Sequence, residues 1–178
     1  MHTLDVGDPE GLLSTIAEQL GQRLIDWRAT HNEPARRGNL LGFEVNLGSE
    51  QNENQTHTVF IETDPDPQPR DGVLLLEQPD TGKRIAVWVY PNDPALPALA
   101  ATVFSESASV LLARLGVTMD NPQLSVLAYR PGKRAVIRVD SGDERVYLKV
   151  VRPGKAAAIV DRHTAFLNAG VTVPQIIG

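Results

Sequence analysis

The chain has 178 residues, is 42% hydrophobic and 22% charged, and carries a formal net charge of −5. An acidic balance of this size implies no general affinity for nucleic acid or for an anionic membrane surface. There is no cysteine, which excludes disulfides and thiolate metal sites and fits a reducing cytoplasm, and no apolar run approaches the roughly 18 residues that a membrane span needs.

The first residues, Met1 to Asp8, combine neither a basic stretch nor an apolar one, so no signal peptide is read there. Asp8-Pro9-Glu10 reads as a helix start, with Asp at the N-cap, Pro at the first helical position and Glu in the first turn. Leu13, Ile16 and Leu20 then recur at helical spacing, with Leu12 beside them, and Gly21 ends the pattern. Leu24 to Ala29 reads either as a strand or as a continuation of this helix, with Trp27 as a core anchor. Asn32 to Asn39 is a basic, turn-forming loop in which Arg36 and Arg37 are solvated more readily than bound to a phosphate. Leu41, Phe43, Val45 and Leu47 alternate with Gly42, Glu44 and Asn46, the pattern of a half-buried strand.

After a polar connection from Gly48 to Gln55, Thr56 to Thr63 reads as another strand, with Val59 and Ile61 inward. His57 has no second ligand at metal-like spacing. Three prolines between Asp64 and Asp71 remove donors and fix φ, so this stretch is a surface loop. Its acids lack the glycine and the regular spacing of a calcium loop. Gly72 to Glu77 and Lys83 to Tyr90 form two strands around a hairpin at Gln78 to Gly82. The second of these is apolar on both faces and therefore central, with Trp88 and Tyr90 as core residues. Pro91 to Pro97 breaks the pattern, and a short helix over Pro94 to Ala101 is compatible with it. Ser105 is expected to cap a clearer helix, with Ala108, Leu111, Leu112 and Leu115 on one face and Gly116 as its stop. The front of the chain is thus an α+β layer of a helix and four or five mostly antiparallel strands. A boundary after residue 104 gives a cap-like domain over 1–104 and a linker helix with a second sheet over 105–178.

Leu124 to Val151 parses as three strands: Leu124 to Tyr129, Arg134 to Val139 and Arg145 to Val151. Ala135, Ile137 and Val139 share a face opposite Arg134 and Arg138. Val146, Leu148 and Val150 share a face opposite Tyr147 and Lys149. A helix comes next, from about Lys155 to Asn168. At 100° per residue, Ala156, Ile159, Val160, His163, Phe166 and Leu167 fall in one sector, with Asp161 nearly opposite. On its own terms His163 is a buried, hydrogen-bonded core histidine.

This order of strand, basic turn, strand, hairpin, strand with lysine, and helix resembles the start of a protein-kinase-like N-terminal lobe. It resembles in particular the aminoglycoside phosphotransferase family of small-molecule kinases. Val146-Tyr147-Leu148-Lys149 resembles the V-A-I-K strand. Ala169-Gly170-Val171-Thr172-Val173-Pro174 resembles the run that comes after the first helix in that family. The resemblance covers roughly Leu124 to Gly178. In layout, the front domain resembles the cap that precedes the kinase lobe in maltokinase-like enzymes, with Val87 to Pro97 as its most distinctive run.

The resemblance implies an α+β chain in which an antiparallel sheet-plus-helix domain precedes a kinase-like N-lobe, with the C-lobe absent. It implies ATP with Mg as cofactor, and a nucleotide and the missing C-terminal lobe as partners. Lys149 would hold phosphates, provided that Val146, Leu148 and Val150 pack under the helix. Arg130, Gly132, Lys133 and Arg134 lie where the Gly-rich loop would be. Gly132 permits close backbone approach, and the cations offer side-chain contacts, but no G-x-G-x-x-G is present. Tyr147 takes the place of a small residue over the adenine and would crowd the base or stack on it. Where the family presents an inward Glu on the helix, this chain presents His163. No stretch resembles the catalytic loop or the metal-binding residues, so the chain is expected to bind a nucleotide without transferring phosphate by itself, and its apolar end at Ile176-Ile177-Gly178 to continue in a longer protein. The alternative is a non-catalytic α+β interaction or regulatory module on a kinase-like scaffold. A hydrolase built on His31, His57 or His163 would lack a Ser or Cys nucleophile motif.

Overall fold

In a computed structural model, residues 7–35, 37–49, 52–77 and 82–177 are described. Arg36 and most of the hairpin expected at Gln78 to Gly82 lie outside them. Helix α1 spans Pro9–Gln19, and the Asp8 carboxylate accepts the Gly11 N–H at 3.1 Å, as the Asp-Pro-Glu start predicts. Gly21, at φ +69°, turns the chain out of the helix. The next element is strand β1 (Arg23–Pro34), which settles the ambiguity over Leu24 to Ala29. Leu20 falls at the helix end and is exposed.

Strands β2 (Asn39–Ser49), β3 (Asn52–Glu62), β4 (Leu74–Glu77) and β5 (Arg84–Val89) complete an antiparallel sheet ordered β1-β2-β3-β5-β4. Of the polar stretch expected as a connection, Gly48 to Gln55, the described residues 48–49 and 52–55 belong to β2 and β3, with Leu47 opposite Gln55 and Ser49 opposite Asn52. Ladder hydrogen bonds belong to the backbone, so pairing continues where the side chains no longer alternate. Leu12, Leu13, Ile16 and Ala17 of α1 pack with Phe43, Val45, Val59, Ile61, Ile85 and Val87 from one sheet face. Trp27 sits edge-on to Phe43 at 5.8 Å. β5 pairs on both sides and buries Ile85 through Trp88, the central position that its apolar run predicts. The proline-rich loop after β3 is tied down by ion pairs of Arg37 with Asp64 at 3.6 Å and of Arg84 with Asp66 at 3.7 Å.

The chain divides into compact units at Met1–Tyr90 and Pro91–Gly178, ahead of the expected boundary after residue 104. In the second unit, α2 (Leu99–Val103) stands in place of the short helix expected over Pro94 to Ala101, and α3 spans Ser105–Arg114. The N-cap of α3 is Phe104, extended at φ −112°, and no side chain caps the helix. Ser105 is already helical, so it cannot serve as the cap expected of it. Strands β6 (Gln123–Arg130), β7 (Arg134–Ser141) and β8 (Glu144–Val151) form an antiparallel sheet in that order, and α4 (Ala156–Asn168) comes after it. Ala135, Ile137 and Val139 are fully buried, opposite Val150, Leu148 and Val146. The helix that makes the main contact with this sheet is α2, against β6 and β7. α4, expected over β8, buries none of its residues. Its apolar sector is as the periodicity predicts, but periodicity does not say what a face packs on. Among the described residues, no helix is long and apolar enough to cross a membrane.

Gly42 of β2 has no room for a side chain. A Cβ there would lie 2.8 Å from both the His31 Cβ and the Phe60 ring, and Phe60 is itself stacked on Trp88 at 5.6 Å. Gly42→Ala is therefore expected to destabilise the first unit by about 1–3 kcal/mol through overpacking. Urea unfolding followed by tryptophan fluorescence measures this, and an unchanged midpoint would show that the ring yields freely.

Candidate functional site

The turn between β6 and β7 is built on Pro131 and Gly132. Pro131 takes the first corner, Gly132 takes the second at φ +65°, and the Lys133 N–H donates to the Arg130 carbonyl at 3.0 Å. This is the composition of a type II turn, whose second corner needs glycine. Pro131 is buried, whereas Arg130, Lys133 and Arg134 are exposed.

Asp93 holds this turn from beneath. Its side chain is 2% exposed. Oδ2 accepts the Tyr129 hydroxyl at 2.9 Å and the Gly132 N–H at 2.6 Å, and Oδ1 accepts the Ala95 N–H at 2.9 Å. The Gly132 carbonyl accepts a hydrogen bond from the Arg152 guanidinium. Both backbone polar groups of Gly132 are thus engaged within the protein. Gly132 shapes the turn, and its N–H is directed to a carboxylate. Sequence reasoning passed over Asp93 and Arg152. An Asp in a proline-rich run carries a local turn signal, and nothing in it points to a partner 36 residues away.

The register of β7 and β8 sets the position of Lys149. It lies opposite Val136, on the polar face. Arg134 and Arg138 flank Val136 on the same face, so each is a diagonal neighbour of Lys149 at about 7–8 Å. Lys149 is exposed, and among the described residues neither the Lys149 nor the Arg134 side chain makes a hydrogen bond or an ion pair. Tyr147 is opposite Arg138 and 58% exposed. Farther from the turn, Asp140 pairs with Arg138 at 2.7 Å and with Arg145. The polar face therefore has an acid-compensated end at Asp140, and a cationic end at Arg134 and Lys149 beside the basic turn.

The helix residues weighed as partners of Lys149 stand apart from this arrangement. Asp161 is exposed and His163 is half-buried on α4, and neither makes an ion pair among the described residues. No group of three or more His, Asp or Glu that could hold a metal occurs among the described residues. A cleft of about 680 Å³ lies in the first unit, lined in part by His31, Asn39, Phe43, Thr63 and Asp64. Of the residues weighed in the sequence, His31 lines it, and Arg130, Gly132, Lys133, Arg134, Tyr147 and Lys149 do not. No family model, curated protein or solved structure matches the chain.

The Arg145 hydrogen bond, aided by the charge of Arg138, holds the Asp140 carboxyl below its ordinary pKa against a desolvation effect of opposite sign. Because the folded-state value is lowered, the resulting stabilisation is present above the unfolded pKa. It is lost as pH falls through the folded one. In a carboxylate NMR titration Asp140 is expected to titrate at lower pH than an ordinary Asp, and Arg145→Ala to move its midpoint upward. A midpoint that stays in place would show that the pair does not form in solution.

Proposed function

We propose that this chain is the nucleotide-binding N-terminal portion of an ATP-dependent phosphotransferase acting on a small hydroxylated molecule, and that its second unit is a kinase-like N-lobe. One observation carries the reading. The strand register sets Lys149 on the polar face opposite Val136, at the end of the sheet where the basic turn lies. A phosphate chain under that turn would meet Arg134 and Lys149, neither of which is committed to another group among the described residues. Anion binding by such a set rests on charge and on hydrogen bonds from ionised donors. The chain order of three antiparallel strands followed by a helix is the order from which the sequence resemblance was drawn, while α4 buries none of its residues.

The donor set fits phosphate oxygens and does not fit a metal ion. The nearest acid on the same face, Asp140, is held by two arginines. Magnesium would accompany the nucleotide and neutralise phosphate charge, and the residues that hold it in the family have no counterpart in this chain. Binding without phosphoryl transfer is therefore the activity proposed for these 178 residues. A second reading, a non-catalytic interaction module, is favoured by α4, whose Phe166 and Leu167 stay exposed at 45% and 53%.

Isothermal titration of the chain with Mg-ATP separates the two. Measurable binding that Lys149→Ala weakens about tenfold, the scale of one charge-assisted contact, supports the nucleotide reading. Binding that Lys149→Ala leaves unchanged removes Lys149 from the site, and no binding at all favours the interaction module.

A further inference from the structure

Gly132 is where a backbone cradle for phosphate would be sought, and its N–H is already taken. Asp93 Oδ2 accepts it at 2.6 Å, in the short range of hydrogen bonds to ionised acceptors. The same oxygen accepts the Tyr129 hydroxyl at 2.9 Å, and Oδ1 accepts the Ala95 N–H at 2.9 Å. The Gly132 carbonyl is fixed by Arg152. A carboxylate that is 2% exposed does not release such a donor to a passing anion, because each bond lost leaves charge uncompensated in a poorly solvated place.

An anion at this turn therefore cannot draw on the Gly132 N–H. Its attraction comes from side chains, chiefly Arg134 and Lys149. Binding through side-chain cations follows the charge of the ligand, whereas a freed backbone N–H adds a hydrogen bond directed at one phosphate group. We propose that Asp93 is the positioning residue of the basic turn: by claiming the Gly132 N–H it makes the site select a chain of phosphates over a single one. This rests on the nucleotide reading above and narrows it to the polyphosphate part of the ligand.

The sign of a substitution separates positioning from simple charge. Asp93 is negative and close to the turn, so as a bare charge it opposes anion binding. Were that its only effect, Asp93→Asn would tighten every anion. As a positioning residue, its neutralisation loosens the turn and frees the Gly132 N–H. Binding of a phosphate chain then weakens even though a negative charge has gone, and a single phosphate gains.

The test is calorimetric titration of the 178-residue chain with inorganic tripolyphosphate and with orthophosphate. The wild type is compared with Asp93→Asn, Tyr129→Phe and Lys149→Ala. Asp93→Asn is expected to bind tripolyphosphate about tenfold more weakly and to lose preference for it over orthophosphate. Tyr129→Phe keeps the Gly132 bond and is expected to keep the preference for tripolyphosphate. Unchanged or tighter tripolyphosphate binding by Asp93→Asn overturns the proposal. Should circular dichroism show that variant to be unfolded, the wild-type Gly132 amide decides by NMR, and a direct hydrogen bond from it to bound tripolyphosphate overturns the proposal. Tripolyphosphate binding that Lys149→Ala loses and Asp93→Asn keeps removes the role of Asp93 alone. A wild-type chain that binds no tripolyphosphate overturns the nucleotide reading and this inference together.

Discussion

A carboxylate shut away from water needs donors, and the second unit is arranged around that need at Asp93. Its oxygens gather Ala95 from their own segment, Tyr129 from the end of β6 and Gly132 from the turn beyond. The backbone of the same residue is also engaged, with its N–H on the Pro91 carbonyl and its carbonyl accepting Leu96. Stranding any one of these groups would cost about 1–3 kcal/mol. The segment from Pro91 is therefore part of the sheet unit and not a linker ahead of it. This is the physical reason that the division of the chain falls at Tyr90 and Pro91.

From the turn onward, packing and charge are separated by the pleat. Ala135, Ile137 and Val139 point to the buried side, and Arg134, Val136 and Arg138 to the other. β8 repeats the division with Val150 against Tyr147 and Lys149. The acid on the polar face, Asp140, neutralises Arg138 and Arg145, both remote from the turn. Arg134 and Lys149, nearer the turn, have no such partner among the described residues. The two ends of one sheet face thus differ in charge balance, although the apolar face beneath them is continuous.

The strands that carry an alternating pattern were legible in the sequence, because a half-buried sheet writes its pleat into the side chains. Leu41 to Leu47 and Arg134 to Val151 are of this kind. Three other features were not. Leu24 to Ala29 mixes an aromatic, an acid and aliphatic residues without a clear period, and only Gly21 in the left-handed region decides it. The end of the β2–β3 ladder, over residues 48–49 and 52–55, is polar and has no pattern to read. Asp93 reaches partners 36 and 39 residues away, and such a contact has no local signature. The apolar sector of α4 was legible as a face, but its expected place over β8 was not realised, since amphipathicity specifies a face and no partner.

Exposure alone says little about Lys149, since a solvated lysine costs the fold almost nothing. Its position carries more weight than its lack of a partner. A shift of one residue in the pairing of β8 would turn Val146, Leu148 and Val150 outward and drive Lys149 and Tyr147 into the buried face. Desolvating the ammonium there would cost far more than the ladder could return. The packing of Ala135, Ile137 and Val139 therefore fixes where Lys149 emerges, just as Asp93 fixes how the turn is presented beside it. Neither constraint acts through contact with a ligand. Both are set by burial, one of apolar side chains and one of a carboxylate, and together they hold two cations and a turn at one end of a sheet.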